Sequence, residues 1–223
     1  MGERLERRDE FGKGRLIPRV RWVDDQCLLR VCQAGTEERC HRQRKSIAYE
    51  LARDLGSEVD AVVVPTSGAD VLSGIERGYR ELHAAGLVGR VPRLVAAETE
   101  TGAPFAAALA LVDRAAQERV VVRMRPSPAF SIGSSTPTWQ GLNALWRTGG
   151  EAIAVSVSDY LPEYQRLPAT TGVFLEPSSV VALVAARLLL RRDPALRIVA
   201  LGTGSGLKSL SKNALREPAV AGT

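Results

Sequence analysis

From Lys45 onward, apolar residues alternate between two spacings, short unbroken runs and helical repeats. "RKSIAYELARDLG" sets Ile47, Leu51 and Leu55 on one helical face and closes with Gly56, a residue suited to ending a helix. "AVVVP" then reads as a buried strand, 71–87 as a helix and "RLVAA" as a second strand, one strand-helix-strand unit of about 35 residues. Further on, the spacing predicts a helix over 104–114, a strand at "VVVRM" and a helix over 139–147. A strand at "AIAVSVS", a short helix over 159–167, a long buried helix over 177–190 and a final strand at "RIVALG" follow. Alternation of this kind predicts an α/β fold: a mostly parallel twisted sheet with helices on both faces.

Residues 1–43 do not share the pattern. They mix Arg, Asp, Glu and Gly with short apolar runs, "CLLRVC" being the longest, and no convincing amphipathic element. The expected organisation is an irregular basic segment at 1–43, an α/β domain at 44–212 and a flexible tail at 213–223.

Composition adds a few exclusions. With 223 residues, 45% of them hydrophobic, the chain can bury a core. No apolar run reaches the roughly 18 residues of a membrane span, since "VVALVAARLLL" stops at Arg191-Arg192, and the charged start "MGERLERRDE" does not read as a signal peptide. A cytoplasmic protein without a membrane partner is expected. Cys27, Cys32 and Cys40 form no CxxC pair, so neither a disulfide framework nor a metal site is expected, only reduced thiols. The net charge of +5 is spread along the chain as Arg pairs with no aromatic interleaving, which argues against a nucleic-acid partner.

Two strand ends carry candidate chemistry. After "AVVVP" comes "TSGAD", a turn of small residues at a helix start, where unpaired backbone N–H groups and the helix dipole favour an anion. Thr66 and Ser67 offer hydroxyls, Gly68 and Ala69 leave room, and Asp70, repulsive to a phosphate, suits a helix cap instead. An ordinary strand-to-helix turn is the plain alternative. A P-loop fails because Ile75 stands where its lysine belongs, and GxGxxG is missing at this turn, although Glu98 sits where a ribose-binding acid would. The second strand end, "LGTGSGLK", lacks a following helix and strand, so it reads as a turn presenting one side chain, Thr203, to a ligand held elsewhere. Serine hydrolysis ranks last: Ser205 is not in GxSxG, and His41 and His83 are the only histidines. Trp139 and Trp146, seven apart, read as core, and "GSSTPTW" as a helix cap with Pro137 in the first turn.

Five blocks, in order, resemble the pyridoxal-phosphate enzymes of the tryptophan synthase β-subunit fold (fold type II), and among them the threonine synthase group. They are "RKSIAYELARDLG", similar to that family's "KTIAYEIAEQLG", then "VVVPTSGADVLSGIERGYRELHAAGLVGRVPRLVAAE", "SIGSSTPTWQGLNALWRTGGEAIAVSVSDY", "TTGVFLEPSSVVALVAARLL" and "LGTGSGLKSL". The resemblance implies a pyridoxal 5'-phosphate-dependent lyase carrying out β- or γ-elimination or replacement on an amino acid or its phosphate ester. It assigns Thr66, Ser67, Gly68, Ala69 and Asp70 to the turn that wraps the cofactor phosphate with backbone amides. Ser67, Asp70 and Val71 stand at typical Gly and Asn positions. Thr203 matches the hydroxyl residue bonded to the pyridine nitrogen, and Glu176 and Pro177 match a structural helix entry.

In that family a Schiff-base lysine lies in a segment resembling "SFKDR", within the N-terminal half. The lysines here, Lys13, Lys45, Lys208 and Lys212, have no such context. The resemblance therefore covers a C-terminal half only, with no catalytic residue assigned. The chain is expected to be truncated and inactive alone, or to act as a homo-oligomer or beside a complementing N-terminal half. A Rossmann-like nucleotide-binding protein or oxidoreductase remains the alternative.

Overall fold

The computed structural model describes residues 19–22 and 37–209, with side chains over residues 44–207. The strands are β1 (Arg19–Trp22), β2 (Ala61–Pro65), β3 (Arg93–Thr99), β4 (Glu151–Val155) and β5 (Ile198–Gly202). The helices are α1 (Glu37–Leu55), α2 (Asp70–Ala84), α3 (Pro104–Leu109), α4 (Arg114–Glu118), α5 (Trp139–Thr148), α6 (Val157–Thr171) and α7 (Pro177–Arg192).

All strand pairs are parallel, in the order β1-β5-β2-β3-β4. The chain steps outward from β2 to β3 to β4, then crosses back to lay β5 on the other side of β2. The winding therefore reverses between β2 and β5, and in open sheets of this type the crevice beyond the carboxyl ends at such a reversal is where ligands bind.

Strand residues alternate between two cores. Val63, Val95, Ala97 and Ala200 face α6 and α7, whereas Val62, Val64, Leu94 and Val199 face α1, α2, α3 and α5. Burial on both faces is what makes "AVVVP" a continuous apolar run rather than an alternating one. Helix α7 touches β2, β3, β4 and β5 and is buried around most of its circumference, as its apolar sequence requires. On the other face α1 packs closely on α2 because Gly74 and Gly78 lack side chains: a Cβ at Gly74 would lie 2.6 Å from Arg44 Cβ, and one at Gly78 2.7 Å from Ala48 Cβ.

Several predicted elements change. The expected strand "VVVRM" does not form. It joins no ladder, its Val122 N–H donates to Ser135 O and that of the following Arg125 to Thr101 O, and Val121 stays 74% exposed. The helix expected over 104–114 breaks into α3 and α4, because Asp113 accepts the Ala115 and Ala116 N–H groups and starts a new helix. The helix expected over 159–167 runs as Val157–Thr171, with Pro162 and Pro168 inside it and Ser156 as its cap. Within the segment expected to be irregular, β1 pairs with β5 and α1 begins at Glu37. The predicted tail lies outside the described residues. Among the described residues no helix is long and apolar enough to cross a membrane.

Candidate functional site

The turn after β2 is held at three points. The Thr66 N–H donates to Ala97 O at 2.9 Å and its buried hydroxyl to Val64 O at 2.7 Å. Ser67 Oγ donates to Gly133 O at 3.0 Å. The Gly68 carbonyl accepts from Thr138 Oγ1 at 2.9 Å and Gln140 Nε2 at 3.3 Å, both at the start of α5. Ala69, with φ 61°, is the only described non-glycine residue in the left-handed region, a conformation that costs about 1–2 kcal/mol without compensation. The anchors supply that compensation, and Gly141 lets α5 approach: a Cβ there would lie 2.5 Å from Ala69 Cβ.

Both hydroxyls expected to face an anion thus donate to carbonyls of the fold. What remains for a ligand are backbone donors, since among the described residues no acceptor takes the N–H groups of Ser67, Gly68 or Ala69. Beside Gly68 the space is open, the nearest atom to a Cβ built there being Asp70 Oδ2 at 3.9 Å. Asp70 is not the helix cap. It is the first residue of α2, Ala69 caps the helix without a side-chain bond, and the Asp70 carboxylate pairs with Arg44 Nη1 at 2.8 Å.

The turn after β5 is fastened to the start of α7. Ser179 Oγ accepts the Thr203 and Gly204 N–H groups, each at 3.0 Å, and lies 3.5 Å from Thr203 Oγ1. The Glu176 N–H donates to Gly204 O and the Gly206 N–H to Phe174 O. Gly204 and Gly206 permit this contact, because a Cβ would strike the Glu176 carboxylate at the first and the Phe174 ring at the second. Ser131 Oγ donates to Ser178 Oγ at 2.6 Å and lies 3.4 Å from Glu176 Oε1, tying the 130–132 turn to the same helix start.

The two turns are neighbours. Val63 pairs with Ala200, and Thr66 and Thr203 each lie three residues further along. The predicted residues Thr66, Ser67, Gly68, Ala69, Asp70 and Thr203 therefore gather at the carboxyl ends of β2 and β5, where the winding reverses. Backbone donors at a helix start and a hydroxyl residue on the adjoining strand can hold a ligand that is anionic at one end and a hydrogen-bonding ring at the other.

Glu98, the candidate ribose ligand, is used elsewhere. It is buried, and its carboxylate accepts the Phe105 and Ala106 N–H groups at 3.1 and 2.8 Å, capping α3. Burial pushes it up to about 7 despite those two bonds. Lys45 is also engaged, its Nζ lying 2.8 Å from each Glu81 carboxylate oxygen. Lys13, Lys208 and Lys212 have no described side chains. Trp139, read as core, is 60% exposed, while Trp146 packs under Arg114 and donates to Gln117. Pro137 precedes the cap Thr138 rather than entering the helix. Supporting residues missed by motif reading are Arg44, Gly133, Gln140 and Ser179. The available signals were indirect, a helix start at "PTWQ" and paired serines after Pro177.

A family model described as pyridoxal-phosphate dependent enzyme matches residues 21–204. A threonine synthase of Methanocaldococcus jannaschii is 28% identical over 172 residues, covering 74% of this chain and 42% of its own. A threonine synthase of Mycobacterium bovis is 27% identical over 170 residues, covering 74% and 44%. The chain thus spans less than half the length of these curated relatives. Among solved structures, a fungal L-serine ammonia-lyase from Rhizomucor miehei superposes with a TM-score of 0.62 at 21% identity, covering 74% of this chain and 51% of that one. Likeness at that level bears on the fold alone.

Proposed function

As the chain belongs to the pyridoxal-phosphate-dependent enzymes, we propose that it forms the cofactor-holding half of a threonine synthase-like lyase, performing β- or γ-elimination or replacement on an amino acid or its phosphate ester. The observation that carries this reading is the placement of the 66–70 turn beside Thr203 at the reversal between β2 and β5. The open space at Gly68 and the three N–H groups of Ser67, Gly68 and Ala69 suit a phosphate. When bound, the cofactor supplies an electron sink for charge developing at the substrate α-carbon. The chain's own residues bind and orient it. Ser67, Gly68 and Ala69 would take the phosphate through the backbone, and Thr203 would offer the ring nitrogen a neutral hydroxyl. A hydroxyl leaves the ring less electron-withdrawing than a carboxylate partner would. Ser179 keeps that hydroxyl in place by fixing the Thr203 backbone.

Proton transfer at the α-carbon requires an amine base, and Lys45 does not fit, because its ammonium sits between both oxygens of Glu81 on the α1–α2 surface. Lys13, Lys208 and Lys212 lie in no segment resembling "SFKDR", so the lysine is assigned to a complementing N-terminal half that would close over the carboxyl ends of the strands. The exposed side chains of Phe130 and Trp139, flanking the turns, give that partner an apolar rim.

Binding and turnover separate the parts of this reading. Calorimetry with the full chain is expected to show saturable binding of pyridoxal 5'-phosphate and none of NAD, and Thr203→Val is expected to weaken it. Amino-acid turnover is expected to be absent until a lysine-bearing half is added. Preferential binding of NAD would refute the cofactor assignment. A borohydride-fixed cofactor on any of the four lysines, with activity, would refute the need for a partner.

A further inference from the structure

We infer that Arg44 is a positioning residue that sets the anion affinity of the 66–70 turn by holding and neutralising Asp70, a role that rests on the cofactor-phosphate reading of that turn. Asp70 begins α2, at a position where the resembled family carries a small or uncharged residue, and its Oδ2 lies 3.9 Å from the Cβ position of Gly68. Its carboxylate is therefore beside the N–H groups that would take a phosphate. Left alone, it would cancel the positive end of the helix dipole and repel the ligand.

Arg44 answers that charge from another helix. Its Nη1 lies 2.8 Å from Asp70 Oδ2, and the arginine side chain is 7% exposed against 39% for the aspartate. The cation is the fixed partner. Gly74, one helical turn beyond Asp70, lets α1 approach until a Cβ there would lie 2.6 Å from Arg44 Cβ, which locks the arginine backbone against α2. The carboxylate, on the solvent side, is the partner able to move. With the pair closed the turn carries no net charge of its own, so the helix start and backbone donors act on an anion unopposed. An aspartate at the phosphate turn is tolerated because a buried arginine accompanies it.

The test uses the full chain and two probes lacking an aldehyde, pyridoxine 5'-phosphate and pyridoxine, titrated at fixed low ionic strength. Their affinity ratio isolates the phosphate contribution. Asp70→Asn is expected to raise that ratio about fivefold to tenfold, and Arg44→Met to lower it by a similar factor. The double variant is expected to return to within about twofold of the wild type. Should Arg44→Met fail to fold, Asp70→Asn decides, since it leaves the packing of α1 against Gly74 and Gly78 intact. If the wild type prefers the phosphorylated probe and Asp70→Asn leaves the ratio unchanged, the inference is overturned and the cofactor reading stands. If neither the wild type nor Asp70→Asn prefers the phosphorylated probe, both are overturned.

Discussion

Ser179, at the start of α7, fixes Thr203 in the turn after β5 through its backbone: Ser179 Oγ accepts the Thr203 N–H at 3.0 Å, and the Gly204 N–H at the same distance. A single hydroxyl at the start of α7 thus satisfies two backbone donors of the turn that carries the ring-nitrogen candidate. Ser179→Ala leaves both without that partner, and each stranded donor costs about 1–3 kcal/mol. Urea unfolding is expected to show a loss of about 2–6 kcal/mol for the two donors together, largely recovered in Ser179→Thr, which keeps the oxygen. Wild-type stability in Ser179→Ala would show that the turn is held elsewhere.

Gly141 governs how closely α5 approaches the first turn. Adding one methyl group places a carbon 2.5 Å from both Ala69 Cβ and Phe105 Cε1, far inside contact distance. Gly141→Ala is expected to destabilise the fold by about 1–3 kcal/mol, because overpacking outweighs the higher helix propensity of alanine, about 1 kcal/mol. It should also weaken cofactor binding through Ala69, measured beside unfolding on the same samples.

Gly78 and Gly89 make a matched pair on the α1–α2 side. A Cβ at Gly78 would lie 2.8 Å from the Lys45 carbonyl oxygen, a backbone atom that cannot swing aside, whereas one at Gly89 meets nothing closer than 3.7 Å. Gly78→Ala is expected to lower the melting temperature by several degrees, and Gly89→Ala to leave it within about a degree. Equal effects would mean that α1 is free to slide.

Glu98 gives stability a pH dependence of defined sign. Burial raises it from 4.5 to about 7, so its contribution is fully present below about pH 4.5 and is lost as pH rises through 7. The difference corresponds to about 3 kcal/mol. Glu98→Gln removes the titration, and the fall in stability between pH 5 and 8 is expected to flatten in urea unfolding across that range. An unchanged slope would assign the dependence to other groups.

Much of the architecture could be read from local pattern. "AVVVP" and "RIVALG" are apolar on both sides and became neighbouring central strands, and the spacing of Ile47 and Leu51 marks the buried face of α1. Where the reading failed, context overrode pattern. "VVVRM" has the composition of a strand, but its Val122 N–H is taken by the Ser135 carbonyl rather than by a ladder, and Trp139 has helical spacing with Trp146 but sits at the exposed start of α5. The break at Asp113 has a local signal, an aspartate capping the helix that follows it.

By itself the sequence determined the alternation of strands and helices, the two small-residue turns and the order of the family blocks, because all of these depend on residues close together in the chain. Tertiary structure alone decided that the turns meet, through the return of β5 to the flank of β2 across residues far apart in sequence. It also decided that the hydroxyls of Thr66 and Ser67 serve the fold, that Asp70 pairs with Arg44, and that Ser179 holds Thr203. Each of these is a choice among polar partners, and hydrogen-bond and charge pairing over long separations leaves no periodic trace in a sequence. It exists only once packing has brought the elements together.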